Sequence, residues 1–473
     1  MASSSRILEM ETPLNDSNKK QILLNGFDMF TVGHLSFGQW RNPKDRAKDK
    51  RRDLSYWTDL AKLLEKGGFT YKGSAEPAIR TGSQFPMADP VIPVSAMAAV
   101  TKKLGFAITT STSYEQPYVV AKRFSTLDHL TGGRFGWNIV TSWKESASRA
   151  VGLPYVEHDK RYEIADEYLR VLYKLWEDSW SDKALVEDAE KGVYADYSQI
   201  RTIHHHGAKF RVDAPHIVDP SPQRTPVLFQ AGTSPAGIQF GATHAEGIFV
   251  SALSPHILAP RVQAIRAAAA SSSGRDPSSI KIFAMITPII GSSPADARAK
   301  HEDALRYVLV EGGLAQFSAS TGIDVARFDL DHELTADDIS AIARVHSALG
   351  NLQYRGDDVP RLTPRNLGVV SAIGGMGAMP VGTAAEVADV MEEWVDVAGV
   401  DGFNLGYVIT PGSFEDALEY LVPELRRRGR YPPAEEDGGR MVYLRDDHPG
   451  FRYKYDTYED AVAKEQETEA QTA

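Results

Sequence analysis

Three stretches of the chain hold side chains whose type and position suit chemistry. The first is Gly232-Thr233-Ser234-Pro235, directly after an apolar run over 226–231. Ser234 is a natural helix cap and Pro235 a natural first helical residue. The free N–H groups and dipole of the helix they open favour an anion, a phosphate above all. An ordinary capped turn would read the same way; the place at a strand's C-terminal end is what favours the anion. The second is Asn138, inside the apolar run Phe135-Gly136-Trp137-Asn138-Ile139-Val140. A buried amide there must find partners for both its donor and its acceptor. A ligand with polar ring edges would serve, and so would a polar core neighbour. The third is His34, after Val32-Gly33, where an imidazole can hydrogen-bond a substrate or an oxygen intermediate; a lone histidine is more often a surface residue.

Other motifs carry less. Three adjacent histidines, His204-His205-His206, cannot converge on one ion and have no acidic cluster beside them, so they read as a solvated hairpin and no metal is expected. Gly374-Gly375-Met376-Gly377 lacks the preceding strand and following acid of a dinucleotide loop. Neither a Walker A loop nor a serine nucleophile elbow occurs, and without cysteine there is no thiolate chemistry.

The positioning frame is a repeat of strands and helices. Strands are predicted over 21–28, 105–113, 134–142, 226–231, 247–252, 280–291 and 402–409. Helices are predicted over 56–66, 92–104, 117–130 and 159–176, where apolar residues recur at helical spacing, and a capping box joins Thr383 and Glu386. This alternation predicts a parallel sheet closed as a TIM-like (β/α)8 barrel, whose active site lies at the C-terminal ends of the strands. Only seven strands are legible. The eighth belongs between 66 and 92, where 67–73 is a poor buried strand, so strand two reads as missing or truncated. The expected organisation is a disordered tail over 1–20, one barrel over 21–433 with a loop-like insertion over its mouth at about 314–381, and a charged, extended or peripheral segment over 434–473.

A formal net charge of −11 argues against a general nucleic-acid or anionic-membrane binder. Residues 1–20 have no apolar core of a secretory signal, and no run approaches a membrane span, so a cytoplasmic protein is expected.

Several blocks together resemble a known family. They are Phe27-Asp28-Met29 with Val32-Gly33-His34, the run Arg123 to Thr131, Gly136-Trp137-Asn138-Ile139-Val140-Thr141-Ser142, Glu157-His158-Asp159-Lys160-Arg161-Tyr162, and Pro220 to Pro226 leading to Gln230-Ala231-Gly232. Over roughly 21–433 the chain resembles the bacterial-luciferase-like, FMN-dependent monooxygenases of the nitrilotriacetate, dibenzothiophene-sulfone and long-chain-alkane group. The resemblance implies a luciferase-like barrel that binds FMN as FMNH2, supplied by a separate NAD(P)H-dependent flavin reductase. It would react it with O2 and insert one oxygen atom into a small organic substrate: a sulfone, a polyamino-carboxylate or an alkane. It places the flavin phosphate at Tyr162 and Ser234 beside Thr233, with His158 ordering that end, and runs the flavin along Thr110, Ser111, Asn138 and Ser142. It makes His34 the catalytic contributor and implies a homodimer or homotetramer. Trp143 departs from the histidine of the alkane enzyme. The family's second strand ends in an aspartate that touches the flavin, and its loss implies weaker flavin binding and stability. A flavin- or F420-type reductase, and an impaired barrel serving as a binding protein, remain alternatives here.

Overall fold

A computed structural model describes residues 19–50, 52–64, 76–83, 86–142, 145–321, 325–335, 338, 363–375, 377–432 and 457–472. The expectations for 1–18, for the segment 67–73 and for Trp143 lie outside the described residues.

All seven expected strands form: β1 (Leu23–Gly26), β2 (Phe106–Ser111), β3 (Phe135–Val140), β4 (Val227–Gln230), β5 (Gly247–Val250), β6 (Lys281–Ile286) and β7 (Gly402–Leu405). They make one curled sheet of order β1-β7-β6-β5-β4-β3-β2, parallel throughout. From β2 to β7 each strand lies beside its successor and β7 returns to β1, which is the winding of a (β/α)8 barrel. Among the described residues β1 and β2 are the two edges, and the second strand of a full barrel would fall between them.

The inward face has layers. Leu23, Ala107, Val227, Phe229, Phe249 and Phe283 form an apolar plug. Two residues further along the strands, register places Asn25 beside Asn404, Asn404 beside Met285, and Thr109 beside Asn138. A polar layer therefore sits on the plug, toward the strands' C-terminal ends. The outward face packs under helices: Phe124, Phe135, Trp137, Tyr168 and Leu172 belong to one core and Ile248, Ile282, Met391 and Trp394 to another. Trp137 is wholly buried, and truncating such a residue costs roughly 3–5 kcal/mol.

Four expectations are corrected. The predicted strand over 280–291 divides after Ile286: Ile289–Gly291 leaves the barrel and pairs with Val381–Thr383. The predicted helix over 92–104 is only Val94–Ala99, because the Arg134 guanidinium takes the carbonyls of Ala98, Thr101 and Leu104 and ends it. The stretch from 314 is not loop throughout: Val310–Thr321 and Pro364–Ala372 are helices. Their glycines hid this from propensity, yet a side chain on Gly313 would start 1.9 Å from the Gly368 oxygen, so close contact requires glycine. Finally, Tyr458–Thr472 is a docked helix and not an extended tail, with Tyr458 and Ala461 buried and the Tyr458 hydroxyl donating to the Ser198 carbonyl at 3.1 Å. Among the described residues no helix is long and apolar enough to cross a membrane.

Candidate active site

The turn after β4 is built as its sequence predicts. The Ser234 hydroxyl accepts the Gly237 N–H at 3.1 Å and Pro235 opens the helix Pro235–His244. Tyr162, from the helix His158–Tyr173, reaches the same turn. A side chain begun at Gly232 would lie 2.4 Å from its hydroxyl, and one at Gly237 2.8 Å. Tyr162 is half-buried, its ring against Phe240 at 5.6 Å, so its helical stripe and its polar tip are both used. Thr233 stands half-buried beside them. His158 meets the Tyr162 ring edge-on at 5.3 Å and pairs with Asp159 at 2.6 Å. The result is a small cluster of hydroxyls and helix N–H groups, which the Tyr162 hydroxyl can approach because both neighbours are glycine, and it is a donor set that suits a phosphate.

The wall of β2 and β3 continues from it. Asn138 donates from Nδ2 to Thr109 Oγ1 at 2.9 Å, while its Oδ1 is buried without a hydrogen-bond partner. The Ser142 hydroxyl donates to Ser111 Oγ at 2.8 Å, with Ser142 held at φ 43°. Thr110 is not part of this wall. Register pairs it with Ile139, on the face where Trp137 packs under the helices, and its carbonyl accepts the Trp137 indole N–H at 3.0 Å. Thr109 takes the inward place, because successive side chains on a strand point to opposite faces. An orphaned acceptor in a polar wall fits a planar heteroaromatic group with N–H edges, as the reduced flavin has.

His34 lies across the mouth, after β1. It is buried, edge-on to Phe27 at 4.7 Å and tilted against Tyr407 at 5.4 Å. Burial, with the Lys50 charge second, holds its pKa well below the ordinary imidazole value, so it is neutral at neutral pH.

Behind it is a network that sequence reasoning missed. The Asp28 carboxylate accepts the Met29 N–H at 2.6 Å, the Tyr407 hydroxyl at 2.5 Å, the Tyr56 hydroxyl at 2.9 Å and the Lys50 ammonium. Lys50 also donates to the Tyr407 oxygen at 2.6 Å, and its side chain is fully buried. Asp45 accepts the Thr410 N–H at 3.0 Å, and burial pushes its pKa up to about 6. Burial likewise lowers Lys50, against the attraction of Asp28, and raises both tyrosines. Asp28 was legible only as a member of a recognised block; Lys50 sits in a charged run over 44–53 that reads as solvated surface. Tyr407 follows the end of β7, where barrel logic alone could have found it.

The histidine triple forms the hairpin Ile203–His206 and Arg211–Ala214, with His204 and His206 exposed and both on Asp213.

These groups gather at the C-terminal ends of a curled parallel sheet, where a barrel enzyme carries its site. The family model for luciferase-like monooxygenase matches residues 32–402, and the chain belongs to that family. It is a flavin-dependent monooxygenase of the FMN-using, two-component kind. It is 43% identical over 458 residues to the dimethyl-sulfide monooxygenase of Hyphomicrobium sulfonivorans, covering 92% of this chain and 94% of that one. It is 40% identical over 457 residues to the long-chain alkane monooxygenase of Geobacillus thermodenitrificans, covering 92% and 98%. The crystal structure of DmoA from Hyphomicrobium sulfonivorans superposes with a TM-score of 0.81 at 40% identity, over 93% of this chain and 98% of that one.

Proposed function

We propose that the two walls of the mouth divide the work of one oxygenation, in which substrate, O2 and FMNH2 give oxygenated substrate, water and FMN. Reduced FMN, when bound, supplies the two electrons that activate O2; the protein supplies binding, orientation and a dry site. Tyr162, Thr233, Ser234 and the helix N–H groups hold its phosphate, with His158 fixing the Tyr162 ring. Asn138 Oδ1 accepts an N–H of the ring system, and Ser111 and Ser142 line its edge; Thr110 contributes backbone only. Neutral His34 offers a hydrogen bond where oxygen is transferred, and the Asp28, Lys50 and Tyr407 group keeps its ring in place.

The barrel over 21–433, with its mouth segment at 314–381, is the catalytic unit, and 434–473 is a peripheral extension. It works in the cytoplasm as a homodimer or homotetramer.

The observation that carries this reading is the orphaned Asn138 oxygen in the inward polar wall. The full chain should quench FMN fluorescence on titration. It should consume O2 with photoreduced FMN and no NAD(P)H, and transfer oxygen to a cosubstrate. A chain that binds FMN in neither redox state would overturn the proposal, and a strict need for NAD(P)H in the same assay would favour a reductase.

A further inference from the structure

The charge of the chain is unevenly spread. Its formal total is −11, yet residues 41–53 hold seven lysines and arginines against three aspartates. This run lies between β1 and the helix Leu54–Leu64 and is anchored from beneath. Lys50 reaches Asp28 and Tyr407, the Arg46 N–H donates to the Thr410 carbonyl at 2.9 Å, and Asp45 accepts the Thr410 N–H at 3.0 Å. Asp28 and Thr410 follow the ends of β1 and β7, so the run forms one rim of the barrel mouth.

The carboxylates of this rim are engaged, and several of its cations are not. Asp45 is buried, and Asp49 and Asp53 both lie on Arg46, at 3.4 and 3.9 Å. Lys44 pairs with Asp303 at 3.0 Å. Arg41, Lys48 and Arg52 are exposed and have no carboxylate partner among the described residues; Arg41 donates to the carbonyls of Gly38 and Tyr307. The hydroxyl and N–H cluster at Ser234 stands on the far side of the mouth. In the sheet order, β4 is four places from β1, half-way round an eight-stranded barrel. The rim cations are thus placed to act on an anion still in solution over the mouth, not on a phosphate already seated at Ser234.

We infer that the rim over 41–53 is a capture surface for the anionic flavin: Arg41, Lys48 and Arg52 draw FMN to the mouth and raise its rate of arrival without contacting it once bound. The inference rests on the reading that the Ser234 cluster holds the flavin phosphate. A phosphate monoester carries about −1.5 to −2 charges at neutral pH, and a chain of net −11 repels it from a distance. A cluster of opposite sign at the opening reverses that repulsion locally, and such steering raises association by about 10- to 1,000-fold. Reduced flavin is also oxidised by O2 while free, so rapid capture preserves it. Because the cations are exposed, salt must weaken the effect: the screening length falls from about 30 Å at 0.01 M to about 8 Å at 0.15 M.

The test uses the full chain, mixed anaerobically with photoreduced FMN in a stopped-flow instrument and followed by quenching of tryptophan emission. Between about 0.01 and 0.15 M salt the wild-type association rate should fall roughly 10-fold. In Lys48→Glu/Arg52→Glu it should start roughly 10-fold lower and depend little on salt, with the dissociation rate unchanged. Lys48→Gln/Arg52→Gln, with half the change in charge, serves if that variant does not fold. Photoreduced riboflavin, which lacks the phosphate, should respond far less to salt and to either substitution. Lys183→Glu/Lys191→Glu makes the same change in net charge beside the hairpin Leu185–Asp188 and Val193–Ala195, which precedes β4 and lies at the opposite end of the barrel. It should leave the FMN association rate within about two-fold of wild type. A rim variant that matches this hairpin variant would overturn the inference. So would a loss confined to the dissociation rate, since the rim residues would then be contacts of the bound flavin. Failure of the parent reading looks different: the wild-type chain is quenched by neither flavin at any salt.

Discussion

Asn138 shows what the site asks of a single residue. Without a ligand its oxygen is buried and unpaired, a destabilising arrangement that a bound ring relieves. Asn138→Leu keeps the branched outline of the side chain and removes the orphan. It should weaken FMN binding by about 10-fold or more, equal to roughly 1.4 kcal/mol, while the melting temperature stays level or rises. Fluorescence titration and thermal melts check the two halves; a loss of stability without loss of affinity would make Asn138 a core residue only. His216 makes the complementary pH prediction. Buried on Ser125 at 2.9 Å, it is held down at about 4 by desolvation. The unfolded chain takes up this proton near 6.5, so the unfolded state binds more protons between 6.5 and 4, and stability falls as pH drops through that window. The slope from this one group is at most about 1.4 kcal/mol per pH unit. His34 acts in the same direction. Asp45 acts oppositely: it stays protonated to about 6 when folded against 3.8 unfolded, so acidification through that range adds stability. Urea unfolding from pH 7 to 4.5 should show a shallower decline in His216→Gln than in the wild type.

The elements were legible to the extent that their signals are local. Seven continuous apolar runs predicted seven strands, because a parallel sheet covered on both faces needs no alternation. That same property hides the phase of β2: with Thr109, Thr110 and Ser111 adjacent and both faces covered, sequence does not say which hydroxyls point inward, and the register turns Thr109 and Ser111 inward and Thr110 outward. The Ser234-Pro235 turn was legible because capping is written in neighbouring residues. The burial of Lys50 was not, since it arises only when the ends of β1 and β7 close over a charged run. The helix Tyr458–Thr472 also has a locally written start, Thr457 and Asp460 bonding each other's N–H at 3.1 and 3.2 Å. The sequence between Leu64 and Glu76 carries the element-scale prediction. Lengthening it with an apolar six-residue strand should raise the melting temperature and tighten FMN binding together, since a barrel is stabilised by closing its ladder. A graft that folds and changes neither would show that the short segment is no defect.

Across the whole molecule, the mouth is tied together at Asp28. Its partners are Lys50, Tyr56 from the helix Leu54–Leu64 and Tyr407 from beyond β7, so one carboxylate links parts of the chain as far apart as 28 and 407. Removing one member of such a buried pair strands the other. Lys50→Met or Asp28→Asn alone should each cost roughly 3–5 kcal/mol, and the double variant clearly less than their sum, in chemical denaturation of all three. For the lineage that carries this protein, the two codons are therefore not independent. A path that replaces the pair one codon at a time passes through a variant destabilised by that amount.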